Sequence, residues 1–97
     1  MIFHTLNAAP NTTVFTQCLR LLRADDALLM MGDGIYAALA GTDASEALTN
    51  SGAQLYVLKS DAAAAGIIKR LSNSVEPADY DQFVSLTERY TKQQAWY

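Results

Sequence analysis

The chain of 97 residues contains one cysteine, Cys18, and one histidine, His4. A single cysteine excludes an intramolecular disulfide and leaves a free thiol, an intermolecular link or a buried small hydrophobe; this agrees with a reducing compartment. With no second His or Cys near His4 in sequence, no metal-ligand set is legible and no metal is expected. His4 reads as a hydrogen-bonded histidine within a strand. No Ser-His-Asp order or Cys-His pair can be argued from the chain.

Charge is also scarce, at 18% of residues with a net charge of −3. The seven basic residues are scattered, with Arg20/Arg23 and Lys69/Arg70 as close pairs. No basic stripe exists to neutralise several phosphates, which excludes strong direct nucleic-acid binding by this chain alone. No uninterrupted apolar run approaches the length that spans a bilayer, and "MIFHTLNAAP" has no cationic segment ahead of an apolar one. The expectation is a cytoplasmic protein without membrane association.

What is present is apolar: 51% of residues are hydrophobic. That composition places the chain among folded globular proteins, and the length allows one domain, residues 1–97, with one real core. It is too short for separate catalytic and binding domains, so an elaborate site would need a partner chain. A surface this weakly charged also suits an oligomer.

Strand and helix signals alternate along the chain. Ile2 to Leu6 reads as a strand, and Asn11 or Thr12 can cap a helix from about Thr13 to Arg23 whose buried face carries Val14, Phe15, Cys18, Leu21 and Leu22. Asp25 and Asp26 mark a turn. Ala27 to Met31 is apolar without alternation, as in a parallel strand covered on both faces. A short helix is expected over Ile35 to Ala40 and another over Ala44 to Asn50, then a strand over Leu55 to Leu58. Ser60 or Asp61 should cap an alanine-rich helix that Gly66 interrupts, with a further turn over Ile67 to Leu71. Val75 and Glu76 form a short strand ended by Pro77. Asp79 opens a last helix with Tyr80, Phe83, Val84, Leu86, Thr87 and Tyr90 toward the core, and "QQAWY" can add a final strand. The pattern predicts an α/β domain: an open, mostly parallel sheet of four to five strands with right-handed crossovers and helices on both faces.

Gly32, Gly34 and Ala37 satisfy G-x-G-x-x-A between a strand and a helix, the outline of a dinucleotide fingerprint. The helix breaks after about two turns, and the position where an acidic residue would meet the ribose is Lys59. No cofactor is therefore expected. The alternative is that both glycines permit special backbone geometry while Asp33 caps the helix, which leaves Tyr36 unexplained. Cys18 could carry a persulfide if exposed and activated, but it lies in the middle of the apolar stripe, and Arg20, two residues on, does not face it. Asp79 and Asp81 sit at a helix start, where they favour the macrodipole and need no acid-base role. Trp96, with Tyr97 and Tyr90 close by in sequence, is either pinned to the core or placed in a subunit interface.

Taken in order, "HTLNAAP", "LLMMGDGIYAALAG", "LYVLKSD" and "ADYDQFVSLTERYTKQQAW" resemble the TusB/DsrH family of sulfur-relay subunits over nearly the whole chain. The resemblance implies a DsrE/DsrF-like domain that joins TusC-like and TusD-like subunits in a dimer of heterotrimers. It implies that the TusD-like subunit carries the persulfide cysteine, taking sulfur from a TusA-like carrier and passing it to a TusE-like protein. The sulfur then reaches the 2-position of the transfer-RNA wobble uridine. In sulfur-oxidising bacteria the DsrH branch serves sulfur trafficking and has a cysteine in the first helix, as this chain has Cys18.

Three readings follow. The first is a non-catalytic subunit of a sulfurtransferase complex, with Asp33, Tyr36 and Trp96 as interface candidates. The second is a direct sulfane-sulfur carrier using Cys18, and the third is a small nucleotide-binding domain using Gly32 to Ala37.

Overall fold

The computed structural model describes residues 1–97. Five strands, β1 (Ile2–Leu6), β2 (Ala27–Met30), β3 (Gln54–Leu58), β4 (Val75–Ala78) and β5 (Lys92–Trp96), form one sheet in the order β4-β3-β2-β1-β5. Every pairing is parallel, which sharpens the expected "mostly parallel sheet of four to five strands". Four α-helices connect them: α1 (Thr13–Leu21), α2 (Asp43–Asn50), α3 (Lys59–Ala64) and α4 (Tyr80–Arg89). Two 3-10 segments, Gly32–Ala38 and Ile68–Arg70, complete the connections.

The strand order dictates where the helices go. The chain steps from β1 through β4 in one direction, then returns across the sheet to place β5 beside β1. Right-handed crossovers in opposite directions must lie on opposite faces. One core accordingly joins Phe15 and Cys18 of α1, Leu48 of α2 and Ala62 of α3 to Leu6, Leu28, Met30, Leu55 and Val57. The other joins Leu86 of α4, with Tyr90 just beyond it, to Phe3, Ala27 and Leu29. β2 is central and therefore buried on both faces, with Leu28, Leu29 and Met30 all at 0% exposure. Each such side chain contributes about 1.5–3 kcal/mol relative to an exposed one.

Several expectations are corrected. α1 ends at Leu21, not Arg23: the chain turns extended at Leu22, which takes the buried position at 7% exposure and leaves Leu21 53% exposed. The strand at Val75 runs through Pro77 to Ala78; β4 is an edge strand, so the missing N–H of proline costs no ladder bond on the side away from β3. Tyr80 and Val84 are exposed, leaving Phe83, Leu86 and Tyr90 to face the sheet. α3 starts at Lys59 without a side-chain cap, so neither Ser60 nor Asp61 plays that part. The turn expected over Ile67–Leu71 is only the 3-10 segment Ile68–Arg70, and Leu71 forms an isolated antiparallel bridge with Leu39.

The last helix has the expected start. Asp79 Oδ1 accepts from Gln82 N–H at 2.8 Å, while the Gln82 side chain accepts from Asp79 N–H at 3.0 Å, a reciprocal capping box. Asp79→Ala removes one of these bonds and leaves the first turn uncapped. A loss of about 1 kcal/mol is expected from thermal or urea unfolding, and no loss would mean that packing alone holds α4.

Candidate functional site

The strand ends β2, β1 and β5 are stitched together at the carboxyl edge of the sheet. Met31 N–H donates to Leu6 O at 2.9 Å, and Asn7 N–H donates to Trp96 O at 2.8 Å. Two of the sequence's candidate features meet this edge: the Gly-Asp-Gly turn after β2 and Trp96 at the end of β5.

The turn is not the capped helix expected from its sequence. Gly32–Ala38 is a 3-10 segment entered from Met31, and the Asp33 side chain makes no capping bond; Asp33 is exposed in the first turn. The two glycines serve different ends. Gly32 adopts φ +53, the left-handed region that disfavours any side chain. Gly34 has an ordinary φ but packs against β1, where an added Cβ would lie 2.3 Å from the Leu6 carbonyl oxygen. Ala37 and Ala38 are buried and Tyr36 is 42% exposed, so the segment offers its aromatic ring outward.

The third reading, a nucleotide site, meets a specific obstacle. The Gly32 N–H that would face a phosphate instead donates to Asp61 Oδ2 at 2.8 Å. A carboxylate already occupies the anion position, and its charge repels a second anion. A seven-residue 3-10 segment also lacks the aligned amides of a long α-helix.

The buried polar chemistry lies elsewhere, along a diagonal crossing three strands on the α1 face. His4 is in register with Leu28 of β2 and Gln94 of β5. Asp26 stands two residues before the first partner and Trp96 two residues after the second, so all three point to the same face. His4 Nε2 lies 3.0 Å from Asp26 Oδ2, and the Trp96 indole N–H donates to His4 Nδ1 at 3.1 Å. The indole is only a donor, so Nδ1 carries the lone pair and the ring proton sits on Nε2, directed at the carboxylate. The two rings stack at 6.3 Å with 23° between their planes.

Asp26 also accepts from Ile2 N–H at 2.8 Å and from Arg23 N–H at 3.0 Å. Burial opposes its ionisation, but the bonds from His4, Ile2 and Arg23 outweigh that and hold the carboxyl below its ordinary value. The terminal ammonium of Met1 lies 3.4 Å from Asp25 and 3.9 Å from Asp26. Asp26, read from sequence as a turn marker, is thus 1% exposed and is the hub of the network. Its one sequence signal was an acid placed immediately before a strand with no exposed face. Trp96 is half-buried against this network and forms a shallow groove of about 250 Å³ with Gln17, Arg20 and Leu21.

Cys18 takes part in neither feature. It is 1% exposed in the α1 core, and burial pushes its thiol from 9.0 up to about 12. At neutral pH the thiol is therefore protonated and a poor nucleophile. No group of three His, Cys, Asp or Glu side chains is placed to hold a metal ion. No helix is long and apolar enough to cross a membrane.

Comparison with known proteins matches residues 9–93 to the family described as DsrH like protein. Protein TusB of Shigella dysenteriae is 41% identical over 95 residues, covering 98% of this chain and all of that protein. Protein TusB of Escherichia coli O1:K1 shows the same identity and coverage. Among solved structures, the ychN protein of E. coli superposes with a TM-score of 0.74 over 97% of each chain at 19% identity, a likeness of fold.

Proposed function

The chain belongs to the DsrH-like family, and on that premise we propose that it is a non-catalytic subunit of a Tus-type sulfur-relay complex. The complex would be a dimer of heterotrimers with TusC-like and TusD-like subunits, acting in the cytoplasm on the path to the 2-thiolated wobble uridine of transfer RNA. TusA-like and TusE-like carriers would exchange sulfur with the TusD-like subunit.

The observation that carries this reading is the state of Cys18. Sulfane-sulfur transfer needs an accessible thiolate to attack the donor, and the only thiol of the chain is enclosed and protonated. A persulfide there would also add a sulfur atom to a filled core, where one extra heavy atom costs about 1–3 kcal/mol. The chain's contribution is then its surface. Asp33 and Tyr36 are exposed on the carboxyl edge, and Trp96 is partly exposed at the β5 border, which keeps these three as interface candidates.

Co-expression with the TusC-like and TusD-like proteins of the same organism tests the reading. A stable complex with equal amounts of the three chains is expected, and failure to associate would overturn it. Cys18→Ala should assemble normally and support thiouridine formation within about twofold of wild type, since Ala fills a buried site without adding a polar atom. If the variant assembles but sulfur transfer falls tenfold or more, Cys18 is a carrier and the non-catalytic assignment is wrong.

A further inference from the structure

The sulfur-relay reading leaves the Asp26–His4–Trp96 diagonal without a part. Both ring nitrogens of His4 are engaged, Nε2 as donor to Asp26 and Nδ1 as acceptor from the Trp96 indole. A second proton can enter only at Nδ1. It would then point at the indole N–H from 3.1 Å, placing two donors face to face with no acceptor between them.

One ring must move, and the surroundings decide which. His4 is 1% exposed, and protonation would turn its bond to the Asp26 carboxylate into an ion pair that holds the imidazole in place. Trp96 is half-buried on the outermost strand, where Lys92, Gln93, Gln94 and Ala95 are all exposed. The indole is the freer partner. We propose that His4 and Trp96 form a proton-sensitive latch: protonating His4 releases the indole, loosens the end of β5 and reshapes the groove of Gln17, Arg20, Leu21 and Trp96.

The charged and titratable groups around His4 set the balance. Asp26 faces Nε2, with Asp25 and the Met1 ammonium beyond it. From α1, the Arg20 guanidinium lines the groove beside Trp96, and the Cys18 thiol lies in the core against which Trp96 packs. β5 contributes Gln94 in register with His4 and Lys92 at its exposed start, while α4 packs on the opposite face. The latch therefore couples a buried proton to the shape of an exposed edge.

The chain has one His and one Trp, so both halves of the latch can be followed without ambiguity. In the full-length protein, nitrogen-15 NMR would track the imidazole nitrogens and the indole N–H from about pH 8 to 5, the range in which histidines titrate. Expected is a shared midpoint at which the indole N–H loses its hydrogen-bonded shift and exchanges with solvent at least about tenfold faster, while the amides of β2 and β3 stay native. In His4→Asn, which has no proton to gain, the indole signal should not change over that range. An imidazole that titrates while the indole stays fixed would overturn the latch. So would an indole change that appears only with unfolding of the whole chain. The wild-type titration decides the matter even if His4→Asn fails to fold.

Discussion

Asp26→Ala is expected to lower the free energy of unfolding by about 3–5 kcal/mol, the largest loss from any single polar substitution in the chain. The carboxylate accepts from His4, Ile2 and Arg23, and removing it strands three donors, of which the His4 N–H is fully enclosed. It also unties the amino end of β2 from β1. For a domain of this size the total is about 5–15 kcal/mol, so the variant should be marginal, with the urea midpoint falling and the slope unchanged. A loss under about 1 kcal/mol would show that water replaces the carboxylate and that the network is incidental.

The same carboxylate gives the stability a definite pH dependence. Its native value lies below the ordinary 3.8, so the folded state binds fewer protons than the unfolded state across that interval. The contribution is complete above the unfolded value, and is lost as pH falls through the lower native one. Asp26→Asn, which cannot ionise, should flatten this part of the acid limb. An acid limb unchanged in Asp26→Asn would assign it to other carboxylates.

Gly34→Ala is the second large effect. The new Cβ would meet the Leu6 carbonyl oxygen at 2.3 Å and its carbon at 3.0 Å, both backbone atoms at the carboxyl end of β1. Neither can rotate away, so β1 and the 3-10 segment must separate, at a cost of about 3 kcal/mol. Gly32→Ala is a useful contrast. Its Cβ would strike the Asn7 side chain, which is exposed and can turn aside, leaving mainly the left-handed backbone penalty of about 1–2 kcal/mol. Urea unfolding of both variants should rank Gly34→Ala as the more damaging. The reverse order would mean that backbone angle, rather than close approach to β1, governs this turn.

Gly-Asp-Gly is only partly legible in the sequence. The sequence pattern marks a strand, a turn and a short helical piece, and the structure has all three. The reason for the second glycine is a backbone contact with a strand about 28 residues away in sequence, which no local pattern encodes. Likewise Asp33 satisfies every local rule for a cap, yet the chain enters the segment in 3-10 geometry from Met31 and the bond does not form. The carboxylate that does serve the turn is Asp61, brought there by the start of α3.

Local physics determined the strands, most helix starts and the doubly covered character of Ala27–Met30, because alternation, caps and continuous apolar runs are properties of neighbouring residues. The quoted motifs also sufficed to indicate the family. Register between distant strands is a different kind of information. Only the parallel pairing of β2, β1 and β5 sets Asp26, His4 and Trp96 on one diagonal, with His4 22 residues from Asp26 and 92 from Trp96 in sequence, and only the burial of His4 and Asp26 shields the bond between them from water. Cys18 shows the same division: its spacing placed it on the apolar face, while its inertness comes from the sheet that closes over that face and excludes the water a thiolate needs.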